Sequence, residues 1–215
     1  MKKSILLLIP VVLFSCNFDK NKVDRSQFEE EISNREIKRV TDVQILEQAY
    51  KQGDVISKNS QKAIGEKLKM AIQQGGFDSA IGFCNASVHG IVDSLKTNYN
   101  ADIRRTSLKL RNPSNAPNDK EKQLLEAYQY SFDKKSPIKG GTQVLENGDI
   151  LYTKPIFMKG LCLNCHGKPG GTLNQDAYTR IQELYPSDSA LHYVDGDLRG
   201  MWSIRLSKKT LIKSL

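Results

Sequence analysis

Histidine is scarce in this chain, with three residues in 215, and cysteine and tryptophan are few, at four and one. A disulfide framework wants pairs at regular spacing. Once Cys16 is set aside, Cys84, Cys162 and Cys165 form an odd, unevenly spaced set that argues against such a framework. No apolar run is long enough to cross a bilayer, since residues 5–14 supply only about ten positions against the roughly twenty that a spanning helix needs. There is no internal repeat and no low-complexity tract. The formal charge of +8 is not clustered into a stripe, which argues against nucleic acid as a partner. The basic balance points weakly toward an acidic redox partner or an anionic bilayer surface.

The short apolar run has a specific context. Lys2 and Lys3 precede it, and Leu13, Phe14, Ser15 and Cys16 close it. A positive start, a short apolar core and a small residue before cysteine describe a secretory leader with a lipobox, in which Cys16 becomes the diacylated first residue. Phe14 is bulkier than usual at its place, and ordinary secretory cleavage is the alternative. The expected organisation is a leader over residues 1–15, a polar tether over 16–40 and one domain over 41–215. The protein is expected at the cell envelope, as a periplasm-facing or outer-surface lipoprotein.

Within the domain, Thr41 or Asp42 caps a first helix whose Val43, Leu46, Ala49 and Tyr50 share a face. A second helix carries Ile64, Leu68 and Ile72 and ends at Gly75 and Gly76. A third, from about Asp78, sets Ile81, Cys84, Val88, Ile91 and Leu95 at intervals of three and four, with Cys84 inside its apolar face. Residues 102–110 read as a strand and 119–132 as a helix. Residues 142–145 and 149–157 form a hairpin around Asn147 and Gly148. A short helix over 175–184 and a strand over 201–206 follow. A helical first half and an antiparallel second half make an α+β domain.

Cys162, Leu163, Asn164, Cys165 and His166 match the C-x-x-C-H haem-attachment signature. Two thiols at that spacing can add to the two vinyl groups along one edge of a porphyrin. The histidine directly after the second cysteine then lies beneath the iron, and Gly160 and Gly167 permit sharp turns on either side. A zinc site built from Cys84, Cys162, Cys165 and His166 is the first alternative, although adjacent Cys165 and His166 cannot easily both face one small ion. A thioredoxin-like dithiol is the second. For the opposite axial position the residues leave Cys84, His89, His192, Met70, Met158 and Met201 open. His89 lies about 140° round the helix from Cys84, so one helix would not present both. Cys84 also has a simple reading as a small buried hydrophobe.

Three segments carry a resemblance. They are residues 105–117 (Arg-Thr-Ser-Leu-Lys-Leu-Arg-Asn-Pro-Ser-Asn-Ala-Pro), 162–167 (Cys-Leu-Asn-Cys-His-Gly) and 196–200 (Gly-Asp-Leu-Arg-Gly). With residues 80–84 (Ala-Ile-Gly-Phe-Cys), they resemble a bacterial single-haem family, the Tll-like haem-c proteins, which occur alone or as sensor regions of signalling proteins. The resemblance implies a PAS-like antiparallel sheet with helices packed on it. It also implies one covalent haem c whose iron is held by His166 and Cys84. Arg105 and Arg111 are read as contacts for the haem propionates, or else as solvated charges on an edge strand. Asp197 and Arg199 read as a hairpin ion pair.

The expected function is that of an exported, lipid-anchored monohaem cytochrome that senses redox state or a small molecule and answers to a redox or signalling protein partner. An envelope electron carrier is the alternative. A peroxidase is a weaker reading, and no convincing catalytic constellation is present. The anchor gives a direct test: the protein made with its own leader should take up lipid label and partition into detergent. Cys16→Ser should abolish both, whereas an unlabelled wild-type chain would refute the anchor and leave export standing.

Overall fold

The computed structural model describes residues 40–215, so the leader, Cys16 and the tether lie outside the described residues. Helix α1 (Asp42–Ala86) opens on a capping box, in which the Thr41 side chain accepts the Gln44 N–H and the Gln44 side chain accepts the Thr41 N–H. It has two arms. Gly75 and Gly76 leave helical geometry, with Gly76 at φ +68°, a left-handed conformation that glycine adopts without strain. The second and third expected helices are therefore connected through a glycine break.

The buried stripe of the first arm shares Ala49, and in part Leu46, with the expected face and departs from it elsewhere. Val43 and Tyr50 are 64% and 43% exposed, while Ile45, Ala49, Gly53 and Ile56 are buried. Both stripes have helical spacing. Close approach to the sheet selects the second, because a side chain on Gly53 would run into the ring of Tyr152. The expected third helix is also divided. Ser87 interrupts it at φ −116°, and α2 (Val88–Tyr99) begins afresh, so Cys84 and Val88 belong to different helices. Asn85 and Ser87 favour such a break because their side chains compete for backbone hydrogen bonds. Asn100, at φ 47°, ends α2 in the left-handed conformation common at helix C-termini.

Strand β1 (Asp102–Thr106) is shorter than expected. Ser107 ends it: its hydroxyl donates to the Arg199 carbonyl at 2.6 Å and accepts the Lys109 N–H at 3.1 Å, turning the chain away. A 3-10 turn (Pro113–Asn115) and helix α3 (Asp119–Asp133), with an Asn118–Glu121 capping box, follow. Strands β2 (Gly141–Val144) and β3 (Ile150–Phe157) form the expected hairpin. The chain then makes a 3-10 turn (Gly160–Cys162), the single-turn helix α4 (Leu163–His166) and helix α5 (Gln175–Leu184). It ends in β4 (Leu198–Leu206), longer than expected, and a terminal helix α6 (Lys208–Lys213) that the sequence reading did not include.

The four strands lie in the order β1-β4-β3-β2, every pair antiparallel. The fold is α+β. Helix α1 covers one face, burying Ile45, Ala49 and Ile56 with Ile103, Ile150, Tyr152, Trp202, Ile204 and Leu206. Helix α3 is tied to the sheet by the Tyr128–Thr153 hydrogen bond and by the ion pair of Arg104 with the buried Glu121. Beyond the glycine break, the second arm of α1 packs Phe77 and Ile81 on α5, through Ala177 and Ile181, beside Cys165. No helix among the described residues is long and apolar enough to cross a membrane.

Gly53 gives the fold a sharp test. Alanine is the better helix former by about 1 kcal/mol, yet Gly53→Ala should lower stability by about 1–3 kcal/mol because its methyl group overpacks Tyr152. Urea unfolding measures the difference, and a stabilised variant would show that the helix can lift off the sheet at no cost.

Candidate functional site

The C-x-x-C-H segment is shaped by its neighbours more than by its own short helix. Cys162 and Cys165 are three residues apart across the 3-10 turn and α4, and their side chains join different apolar clusters. Cys162 packs with Met158, Ala190 and Tyr193, and Cys165 with Ile81, Leu173 and Ala177. Gly167 closes the turn through its N–H to the Leu163 carbonyl at 2.8 Å. A side chain there would strike the Thr172 hydroxyl and the Leu163 carbonyl, so the glycine is required by close approach.

The loop between α5 and β4 is stitched onto this turn. The Tyr193 N–H donates to the His166 carbonyl and the His192 N–H to the Gly167 carbonyl, both at 3.0 Å. The His166 Nδ1 lies 2.8 Å from the Ala190 carbonyl. A carbonyl can only accept, so Nδ1 carries the proton and Nε2 keeps its lone pair. Burial, reinforced by Arg111 and Arg199, pushes the His166 pKa well below its usual value and keeps the ring neutral. Part of the residue's surface is exposed, but the surrounding protein and cations decide its charge. The ring is oriented and uncharged, as metal ligation requires.

Arg111 braces the carbonyl that orients His166, with its Nη2 3.4 Å from the Ala190 oxygen. Its Nη2 donates to the Cys165 carbonyl at 2.6 Å and to Asp188 Oδ2 at 3.0 Å. The other Asp188 oxygen accepts the Ala190 N–H at 2.9 Å. The side chains of this pair are 10% and 4% exposed, so the charges are effectively buried together. The Arg111 Nε is buried with no hydrogen-bond partner among the described residues.

Cys84 comes from the second arm of α1. Burial raises its thiol pKa, an effect that Arg105 and Arg111 oppose, and its charge would be felt by Cys165 and Tyr185. Burial likewise pushes the Cys165 thiol up to about 11. Arg105 lies opposite Trp202 in the β1–β4 ladder, with its guanidinium carbon 5.6 Å from the Trp202 ring centroid. Burial lowers its pKa, and it has no carboxylate at ion-pair distance among the described residues.

The other histidines lie at the surface. His89 is exposed and 3.1 Å from the Asn112 amide nitrogen, and His192 is exposed at φ +65°. Met70 is 47% exposed, whereas Met158 and Met201 are buried. Among the described residues, no three His, Cys, Asp or Glu side chains converge in a way that could hold a bare ion, so the four-residue zinc set is not assembled. The expected Asp197–Arg199 pair is not formed either. Asp197 Oδ2 accepts the Val194 N–H and Arg199 donates to the Lys109 carbonyl, because the loop backbone offers each a nearer partner.

Asp188, the Ala190 carbonyl, Tyr193 and Trp202 were not singled out by the sequence. Asp188 follows a proline turn and looks like any loop acid, and a backbone acceptor has no residue type to reveal it.

An α+β domain in which a half-buried C-x-x-C-H turn has its histidine held by a loop carbonyl presents a candidate cofactor site. The family model described as Tll0287-like matches residues 25–207, and the chain belongs to this family. Among solved structures it is similar to the cyanobacterial haem protein Tll0287, at 24% identity over 70% of this chain and 94% of that one, with a TM-score of 0.48. No curated protein matches the chain.

The buried pair predicts a large, asymmetric effect. Arg111→Leu should destabilise the domain by about 3–5 kcal/mol, since it strands the Asp188 carboxylate. The Arg111→Leu/Asp188→Leu double variant should recover part of that loss. Denaturant unfolding of both variants checks this, and a single variant within experimental error of wild type would show that the pair does not brace the loop.

Proposed function

We propose that this protein binds one haem c through Cys162 and Cys165, with His166 and Cys84 as axial ligands, and works as an exported redox or small-molecule sensor. The observation that carries the reading is the state of His166. It follows a C-x-x-C turn, its Nδ1–H is committed to the Ala190 carbonyl, and its Nε2 lone pair is available. Family membership supports the same cofactor, since the protein after which the family is named is described as a haem protein.

The residues present suit such a group. Cys162 and Cys165 are unpaired thiols, and two axial ligands need no cluster of three donors. Arg105, half-buried without a carboxylate partner among the described residues, is the best candidate to neutralise a propionate, and its guanidinium carbon lies 5.6 Å from the centre of the Trp202 ring. Arg111 spends Nη2 on Asp188 and the Cys165 carbonyl, which leaves Nε and Nη1, without partners among the described residues, as its share for a propionate. When bound, the haem supplies a one-electron iron couple, and a thiolate ligand biases it toward the ferric state.

Sensing is favoured over simple electron transfer by the way Cys84 is carried. Its helical arm is bounded by the Gly75–Gly76 break on one side and the Ser87 break on the other. A ligand on a segment with interruptions at both ends can change position without unpacking the first arm from the sheet. Cys16, with the short apolar run before it, supports attachment at the envelope.

Pyridine haemochrome and intact-mass measurement of the purified protein test attachment. A haem-sized increment that survives acid acetone is expected, and it should be lost in Cys162→Ala/Cys165→Ala. Cys84→Ala should keep the haem but convert a low-spin, thiolate-type ferric EPR spectrum into a high-spin or water-bound one, with a raised potential. A protein without haem refutes the whole reading, and an unchanged Cys84→Ala spectrum refutes the thiolate.

A further inference from the structure

A solvent-open cleft of about 340 Å³ lies between α3, the turn after β1 and the start of β4. Leu108, Leu125, Phe132 and Leu198 form its apolar wall, and Lys109 and Arg199 supply positive charge. Neither cation has a carboxylate at ion-pair distance among the described residues. The Lys109 ammonium reaches the Leu191 carbonyl at 3.4 Å, and Arg199 Nη1 donates to the Lys109 carbonyl at 3.0 Å. Asp197 also lines the cleft, with one of its oxygens already taken by the Val194 N–H. Cys84, Cys162, Cys165 and His166 do not line it.

We propose that this cleft is a binding site for a small organic carboxylate, whose charged end pairs with Lys109 and Arg199 while its apolar body rests on Leu108 and Phe132. Two uncompensated cations against one partly engaged acid select an anion, and the clustering of like charge in a cleft strengthens the attraction. A guanidinium can grip a carboxylate with two parallel hydrogen bonds. The apolar wall, which includes the 44% exposed Leu108, selects an anion with a hydrophobic body over inorganic phosphate.

The cleft is connected to His166 through one residue. The Lys109 ammonium and the Arg199 guanidinium both lie against the Tyr193 ring, at 4.8 Å and 5.5 Å from its centroid. That ring meets His166 edge-on, with centroids 6.3 Å apart and planes at 86°. A carboxylate that draws the cations from the ring weakens their cation–π hold on Tyr193 and so alters the contact with His166. This coupling rests on the haem reading above, whereas the binding site itself does not.

Titration calorimetry of the full chain as isolated, with benzoate as the probe, decides the site. Saturable binding is expected for benzoate and not for benzyl alcohol or inorganic phosphate. Lys109→Gln should weaken benzoate binding about tenfold, and Gln129→Glu, which sets a like charge in the cleft wall, should abolish it. Circular dichroism should show both variants folded. Absence of saturation, equal binding of benzyl alcohol or phosphate, or an unchanged affinity in folded Lys109→Gln overturns the proposal. So does binding seen only in haem-free Cys162→Ala/Cys165→Ala, because the cations would then serve a propionate. If haem is present, benzoate should shift its Soret band along the same isotherm. A fixed Soret band with saturable calorimetry overturns the coupling alone, and a chain without haem still gives the isotherm that judges the site.

Discussion

The Arg111–Asp188 ion pair is the interaction on which the site depends. It joins three segments distant in sequence: the turn after β1, the C-x-x-C-H turn and the loop before β4. Arg111 holds the Cys165 carbonyl, Asp188 holds the Ala190 N–H, and the Ala190 carbonyl in turn holds His166. A buried pair of this kind contributes little net stability, because desolvation offsets most of the attraction. Its value here is geometric. A charge with a single good partner in the interior admits few alternative arrangements, so the loop has one seat and the imidazole one orientation.

Electrostatically the site is lopsided. Arg105, Arg111 and Arg199 all bear on His166, and Asp188 is the one carboxylate engaged with any of them by an ion pair among the described residues. Burial lowers the pKa of Arg105 and Arg199 without bringing either near neutrality, since guanidinium groups stay charged across the physiological range. An interior with more positive than negative charge is arranged for something anionic to complete it. Arg105 faces Trp202 and Arg199 faces Tyr193, so the positive charge is divided between two aromatic rings on either side of the site.

Local chemistry was the most legible part of the sequence. The Asn147–Gly148 hairpin and the glycine break at Gly75–Gly76 are each announced by residues at the site of the event. On α1 the expected face of Val43, Leu46, Ala49 and Tyr50 holds at Ala49 and partly at Leu46, while Val43 and Tyr50 give way to Ile45 and Ile56, because both stripes have helical spacing and Tyr152, a hundred positions later, chooses between them. The end of β1 at Thr106 had the same character, since Ser107 stops the strand only because β4 brings the Arg199 carbonyl to it. In the site, the motif itself was plain. The framework behind it was not, because it consists of backbone carbonyls and one ordinary-looking aspartate.

The hydrogen bond from His166 to Ala190 has a temporal meaning as well as a geometric one. Cys162 and Cys165 are defined by a few adjacent residues and are recognisable in an extended chain. The orientation of His166 needs a loop 24 residues downstream, and that loop needs an arginine 77 residues before Asp188. The thiol spacing therefore needs only the local segment, whereas the orientation of the imidazole waits until the loop before β4 has folded. The geometry of His166 is thus completed late, and its state records whether the C-terminal loop has reached its native position.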